Sequence, residues 1–190
     1  MKIYLLDKNQ GMVKAWKSYF CNCKDVEIVN MYLEDFLSIY DVECVVSPAN
    51  SYGLMDGGYD LAISEYFGWG LSKKVQSKIL NDYFGEQLVG TSIIVDIEGT
   101  DKKLIHTPSM RSPSRIKDPM VVYYCTRATL MCAIKNNINS IVIPAFGGNC
   151  GGLDFDVIAH LMKEAYEQVT NPPKEIDWEY ADRKKLEEIK

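Results

Sequence analysis

Apolar residues occur in two alternating arrangements along this chain. Short, dense runs five to seven residues long predict buried strands. Longer stretches with apolar positions every third or fourth residue predict helices. Residues 2–6 form the first dense run, and residues 11–20 place Met12, Ala15, Trp16 and Tyr19 at helical spacing. Residues 26–30 predict a second strand and 33–39 a short helix. Residues 43–47 predict a buried strand that ends at Pro48, which has no N–H for a ladder. Helices follow over 59–67 and 72–83, then strands over 91–97 and 103–107. A loop rich in Pro, Ser and Arg, 108–117, leads into a long helix over 119–137 with proline near its start. The last buried strand is 140–144, and a helix over 154–169 has Asp154 or Asp156 at its beginning.

Strands that alternate with helices predict an α/β fold. The expected form is three layers (α-β-α), a mixed sheet with a largely parallel centre and helices on both faces. In such sheets ligands bind beyond the carboxyl ends of the strands. Pro172-Pro173 closes the periodic part, and the rest is densely charged. Trp178, Ala181, Leu186 and Ile189 fall near one helical face, so an appended amphipathic helix capped by Asp177 is expected. This organises the 190 residues as one domain, 1–171, and a helical extension, 172–190.

Composition narrows the functional classes. Lys+Arg is 21 and Asp+Glu is 26, a net charge of −5, which argues against an electrostatic DNA or RNA binder. The hydrophobic share of 47% is that of a soluble globular protein and excludes wholesale disorder. The first apolar run is too short for a signal-peptide core, and no apolar stretch approaches the ~18 residues of a membrane span. No membrane partner is expected. The six cysteines read as buried or inert thiols in a reducing cytoplasm. Cys21-x-Cys23 with two distant histidines is not a zinc signature, so neither metal nor cofactor is expected.

The glycines are the informative residues. Gly53, Gly57, Gly58, Gly147, Gly148, Gly151 and Gly152 fall in two windows, each between a predicted strand and a predicted helix. Glycine lets the backbone approach a ligand, and a helix N-terminus adds partial positive charge, so each window suits a phosphate. Neither is a GxGxxG or Walker sequence. Turn geometry alone also explains glycine in one such window. Two windows at strand ends of one small domain point to a shared cleft that clamps a diphosphate.

These residues resemble a known family. Residues 42–50, Val-Glu-Cys-Val-Val-Ser-Pro-Ala-Asn, are similar to the macrodomain stretch VDAIVNAAN. Residues 56–63, Asp-Gly-Gly-Tyr-Asp-Leu-Ala-Ile, resemble its GGGVDxAI continuation. Leu104-Ile105-His106-Thr107 is similar to the strand ending in IHT, and residues 144–153 resemble the PAxGTGxGGxP loop. The matches keep the family order over about residues 2–169. The resemblance implies ADP-ribose or a derivative as ligand, with ADP-ribosylated protein as a candidate partner.

Carried onto this chain, the resemblance places Asn50 at the distal ribose and its neighbour Ala49 among the ligand-binding residues. Gly57 and Gly58 form the first diphosphate loop, and Gly147, Gly148, Asn149, Cys150 and Gly151 the second. Asp35 matches the aspartate that accepts from the adenine amino group, although Glu34 stands where the family has glycine. Asp35 also reads as a helix-start carboxylate. Asp60 matches the acidic residue of hydrolytic members, where it would activate water at the ribose; it equally reads as a helix cap. His106 is a core histidine or, if it reaches the reacting group, a proton carrier. Arg111 is a bidentate partner for a terminal phosphate or a solvated loop arginine. Phe146, Tyr52 and Tyr59 cover the distal ribose or belong to the core. Two functions follow: a hydrolase acting on ADP-ribose 1″-phosphate or ADP-ribosyl protein, with Asn50 and Asp60 catalytic, or a non-catalytic reader of ADP-ribose.

Overall fold

A computed structural model describes residues 1–183. The chain runs β1 (Lys2–Leu6), α1 (Gln10–Phe20), β2 (Val26–Val29), α2 (Leu33–Ile39), β3 (Cys44–Ser47), α3 (Gly58–Phe67) and α4 (Gly70–Tyr83). It continues through β4 (Ile93–Asp96), β5 (Lys103–His106), α5 (Met120–Lys135), β6 (Ser140–Ile143), α6 (Phe155–Thr170) and α7 (Trp178–Arg183). Every expected strand and helix of residues 1–170 is present, with ends shifted by a few residues. The fourth strand starts at Ile93 rather than Thr91, because the Thr91 hydroxyl donates to the Leu88 carbonyl and closes a turn there.

The six strands form one sheet in the order β2-β1-β6-β3-β5-β4. All neighbours are parallel except β4, which pairs antiparallel with β5. Alternate strand residues point to opposite faces, as the pleat requires. Ile3 and Leu5, Cys44 and Val46, Ile141 and Ile143 enter one apolar cluster with α1, α5 and α6. Leu6, Val45 and Val142 enter the other with α2, α3 and α4. Both faces of the sheet are therefore covered, which explains the near-continuous apolar runs. This is the three-layer α/β arrangement that the alternation predicts.

Side chains cap the starts of α1, α6 and α7. Asn9 Oδ1 accepts from Gly11 N at 2.8 Å, and Asp154 Oδ1 accepts from Asp156 N at 2.8 Å. Asp154, not Asp156, is thus the cap of α6. Helix α3 begins after Gly57 with no side-chain cap. Asp177 caps α7 through its Oδ1, which accepts from Tyr180 N at 2.7 Å. Tyr180 and Gln168 exchange hydrogen bonds of 2.8 and 2.9 Å, tying α7 to α6. Trp178 is 85% exposed, so the apolar face expected there is uncovered at its start. Leu186 and Ile189 lie outside the described residues. No helix among the described residues is long and apolar enough to cross a membrane.

Trp16 is the largest side chain of the α1–α6 contact. It is fully buried, and its indole N–H reaches Met162 Sδ at 3.3 Å. Trp16→Ala is expected to cost about 3–5 kcal/mol, read as a lower urea midpoint at unchanged slope.

Candidate functional site

The carboxyl ends of β1, β2, β3 and β6 open onto one cleft of about 690 Å³. Asp7, Lys8 and Asn9, after β1, wall one end together with Met31, Tyr32 and Glu34, after β2. The first glycine loop and the start of α3 form one side; Pro144, Ala145 and the second glycine loop form the other. Ser109, Met110 and Pro113 close the remaining edge.

Each loop holds a glycine in the left-handed region of backbone conformation. Gly58 takes φ +57°, and a Cβ there would meet only Asn149 Nδ2, at 3.6 Å. Gly147 takes φ +79°, and a Cβ there would lie 2.9 Å from Ile116 and from Leu153. In the second loop, the N–H groups of Gly148, Asn149, Cys150 and Gly151 meet no protein acceptor among the described residues. Helix α3 adds an uncapped N-terminus. Side chains do not offer equivalent charge. Asp7, Glu34, Asp56, Asp60 and Glu65 line the cleft, and Lys8 is the one lysine or arginine beside them among the described residues. Positive potential in the cleft therefore comes from backbone N–H groups and a helix N-terminus, with Lys8 as the one cationic side chain of the lining among the described residues.

Asp60 sits in the first turn of α3 and is 8% exposed. Its Oδ1 accepts from the Ser47 hydroxyl at 2.6 Å. Burial pushes its carboxyl up to about 7, and the Ser47 hydrogen bond opposes that only in part. Asp60 is therefore not a cap: its carboxylate faces Ser47 on β3. Asn50 is 7% exposed and turns its amide into its own loop. Its Oδ1 accepts from Tyr52 N and Leu54 N at 3.1 and 3.3 Å, and its Nδ2 donates to the Leu54 carbonyl at 2.8 Å. Tyr59 lines the cleft with a buried hydroxyl that has no partner among the described residues. Burial and the neighbouring Asp60, Asp7 and Glu34 carboxylates push its ionisation far up.

The expected residues divide by position. Ala49, Asn50, Gly57, Gly58, Tyr59 and Asp60 line the cleft, as do Gly147, Gly148, Asn149, Cys150 and Gly151. Asp35, Arg111 and Phe146 do not. Asp35 is exposed on α2, and Glu34 and Asp7 stand at that end of the cleft instead. The reason is the start of α2 at Leu33: Leu33 and Phe36 are buried, which turns both positions between them outward, Glu34 on the cleft side and Asp35 away from the lining. Arg111 gives Nε and Nη2 to Glu86 at 2.6 and 2.9 Å. Phe146 is fully buried in the α1–α5–α6 cluster. Tyr52 donates to Glu86 at 3.2 Å and is likewise off the cleft lining.

His106 is a core residue. Gln87 Nε2 donates to the Thr91 and His106 carbonyls, so Gln87 Oε1 is the acceptor for His106 Nδ1 at 2.8 Å. The proton is thus on Nδ1, and Nε2 is buried without a partner among the described residues. Burial lowers its ionisation to about 3, so it stays neutral. The cysteines are more varied than expected: Cys44 and Cys125 are buried, but Cys21 and Cys150 are exposed, the latter on the cleft rim. Asp7 was missed by motif reading. Its place at the carboxyl end of the first strand was the available signal.

Comparison with known proteins bears on this cleft. A family model described as Macro domain matches residues 46–162. An uncharacterized protein of Aquifex aeolicus (strain VF5) is 30% identical over 125 residues, which span 65% of this chain and 72% of that one. An uncharacterized protein of Aeropyrum pernix is also 30% identical over 125 residues; the match spans 65% of this chain but 61% of that protein. Among solved structures, the macrodomain of Mycobacterium tuberculosis DarG superposes with a TM-score of 0.59 at 21% identity, over 68% of this chain and 84% of that one. The Oceanobacillus iheyensis macrodomain with ADP gives 0.59 at 24% identity, over 67% and 68%. A mutant of that macrodomain with ADPR gives 0.60 at 23% identity, over 68% and 71%. At these identities the structural likeness is one of fold.

The buried Asp60 carboxyl makes stability depend on pH. Its folded value of about 7 lies above the unfolded value of about 4, so the folded state holds its proton through that window. Its contribution to stability is complete below pH ~4 and is lost as pH rises through 7. Asp60→Asn is expected to raise the thermal midpoint at pH 8 by on the order of 5 °C. The same substitution should have little effect near pH 4, and melting curves at both pH values check this.

Proposed function

The chain belongs to the macrodomain family, and from that premise we propose that it binds ADP-ribose in this cleft and hydrolyses a derivative substituted at the distal ribose. The observation that carries the reading is the pair of glycine loops with unpartnered backbone N–H groups, facing each other across a cleft that is otherwise acidic. Such donors hold a diphosphate without formal positive charge. The base end would lie against Asp7, Tyr32 and Glu34, and the distal ribose beside Asn50 and Asp60. The unit proposed to do this is 1–171, with 172–190 as an appendage.

In the proposed reaction a water attacks C1″ of the distal ribose. Its oxygen forms the new C–O bond, and phosphate or a protein carboxylate leaves with the bonding electrons. Asp60 takes the proton of the attacking water and must be ionised to do so. Its value of about 7 is matched to that task near neutral pH. Ser47 orients the carboxyl through its hydroxyl.

A second reading, a reader that binds without turnover, is favoured by Asn50. Its amide is committed to Tyr52 and Leu54 and offers the ribose no free donor in this conformation.

Titration calorimetry with ADP-ribose tests the binding, and absence of heat at millimolar ligand overturns both readings. Product analysis with ADP-ribose 1″-phosphate and with mono-ADP-ribosylated protein separates the two. Under the hydrolase reading, turnover rises with pH through about 7 and then levels, and Asp60→Ala lowers it about 10²-fold or more. Under the reader reading, ligand binds and no product forms.

A further inference from the structure

The segment 108–117 touches both glycine loops. At its start, Ser109 N donates to the Ala49 carbonyl at 3.2 Å, and the Ser109 hydroxyl donates to the Pro48 carbonyl at 2.9 Å. Ser51 N donates to the carbonyls of Met110 and Arg111, both at 3.1 Å. These bonds join the segment to the first glycine loop. At its far end, Ile116 N donates to the Gly151 carbonyl at 3.0 Å, in the second loop. Between the two, Arg111 is clamped by Glu86, which also accepts from Tyr52.

The Ile116 side chain has an unusual place. Its Cδ1 methyl fills the space that a Cβ would need at two glycines of the second loop. A Cβ on Gly147 would lie 2.9 Å from it, and one on Gly151 would lie 2.7 Å from it. Yet Ile116 is absent from the cleft lining. One methyl thus supports the loop from behind, at Gly147, just before its unpartnered N–H groups, and at Gly151, the last of them.

We infer that Ile116 is a positioning residue: through the 108–117 strap it fixes the second glycine loop relative to the first, and so sets the gap in which a diphosphate is held. The inference rests on the ADP-ribose reading. The physical reason is entropy. A glycine-rich loop loses more freedom on ordering than any other, and a ligand that must order it binds more weakly. A loop already held by a backbone bond and a packed methyl meets the diphosphate in place.

Ile116→Val removes the Cδ1 methyl and little else; Ile116→Ala removes the rest of the support. Calorimetry with ADP-ribose should show affinity reduced about threefold in the first and about tenfold in the second, the range of one to several lost methyl contacts. Amide hydrogen exchange supplies the readout that general destabilisation would not mimic. Exchange at residues 116, 152 and 153, whose N–H groups donate to the Gly151, Asn149 and Gly147 carbonyls of the loop, should quicken in both variants while that of β3 and β6 stays as in the unaltered protein. Full ADP-ribose affinity in both variants overturns the inference, and so does exchange that quickens equally in loop and sheet. An unaltered protein that binds no ADP-ribose overturns the reading beneath it, which keeps the two failures distinct.

Discussion

The pairing of β3 with β6 is the contact on which the site depends. Cys44 lies opposite Ile141 and Val45 opposite Val142 in a parallel ladder. Parallel neighbours end on the same edge of the sheet, so the loops that leave Ser47 and Ile143 start side by side. Residues almost a hundred positions apart thereby become two walls of one cleft. The pairing itself is held by burial: all four of these side chains are fully covered by helices from one face or the other. Apolar area removed from water on both sides, at roughly 25 cal/mol per Å², is what keeps the ladder in register.

The electrostatics of the cleft follow from what that edge leaves available. Carboxylates line it at both ends, yet its proposed ligand is an anion. The conflict is resolved if charge is met by main-chain dipoles instead of side chains. Burial then gives the carboxylate at the distal end an unusual character. Asp60, wedged beneath α3 against Ser47, is drawn toward neutrality. His106 is drawn the same way from the other sign and stays uncharged in the core. Both shifts have one cause, loss of water around the charged form, but only Asp60 faces the cleft.

Much of this was legible in the chain. Dense runs and helical spacing located the strands and helices of residues 1–170, because buried strands and amphipathic helices leave different periods. The glycine windows located both loops, because few other residues tolerate such turns. Side-chain direction was less legible. Asp35 and Glu34 are neighbours, and which of them faces the cleft depends on the start of α2, a boundary set by the burial of Leu33 and Phe36. Arg111 looked free to meet a phosphate until the fold brought Glu86 beside it. Phe146 stands one residue before Gly147, yet its ring enters the opposite environment.

The sequence alone determined the family, the three-layer order of elements and the positions where glycine loops leave the sheet edge. These are local properties: periodicity, backbone permissiveness and motif order are written residue by residue. Tertiary structure alone decided which charges meet. It paired Arg111 with Glu86, placed Asp7 rather than Asp35 at the cleft and set the Ile116 methyl behind two glycines. Such contacts join segments far apart in the chain. Their distances come from how the layers pack, and no local pattern encodes them.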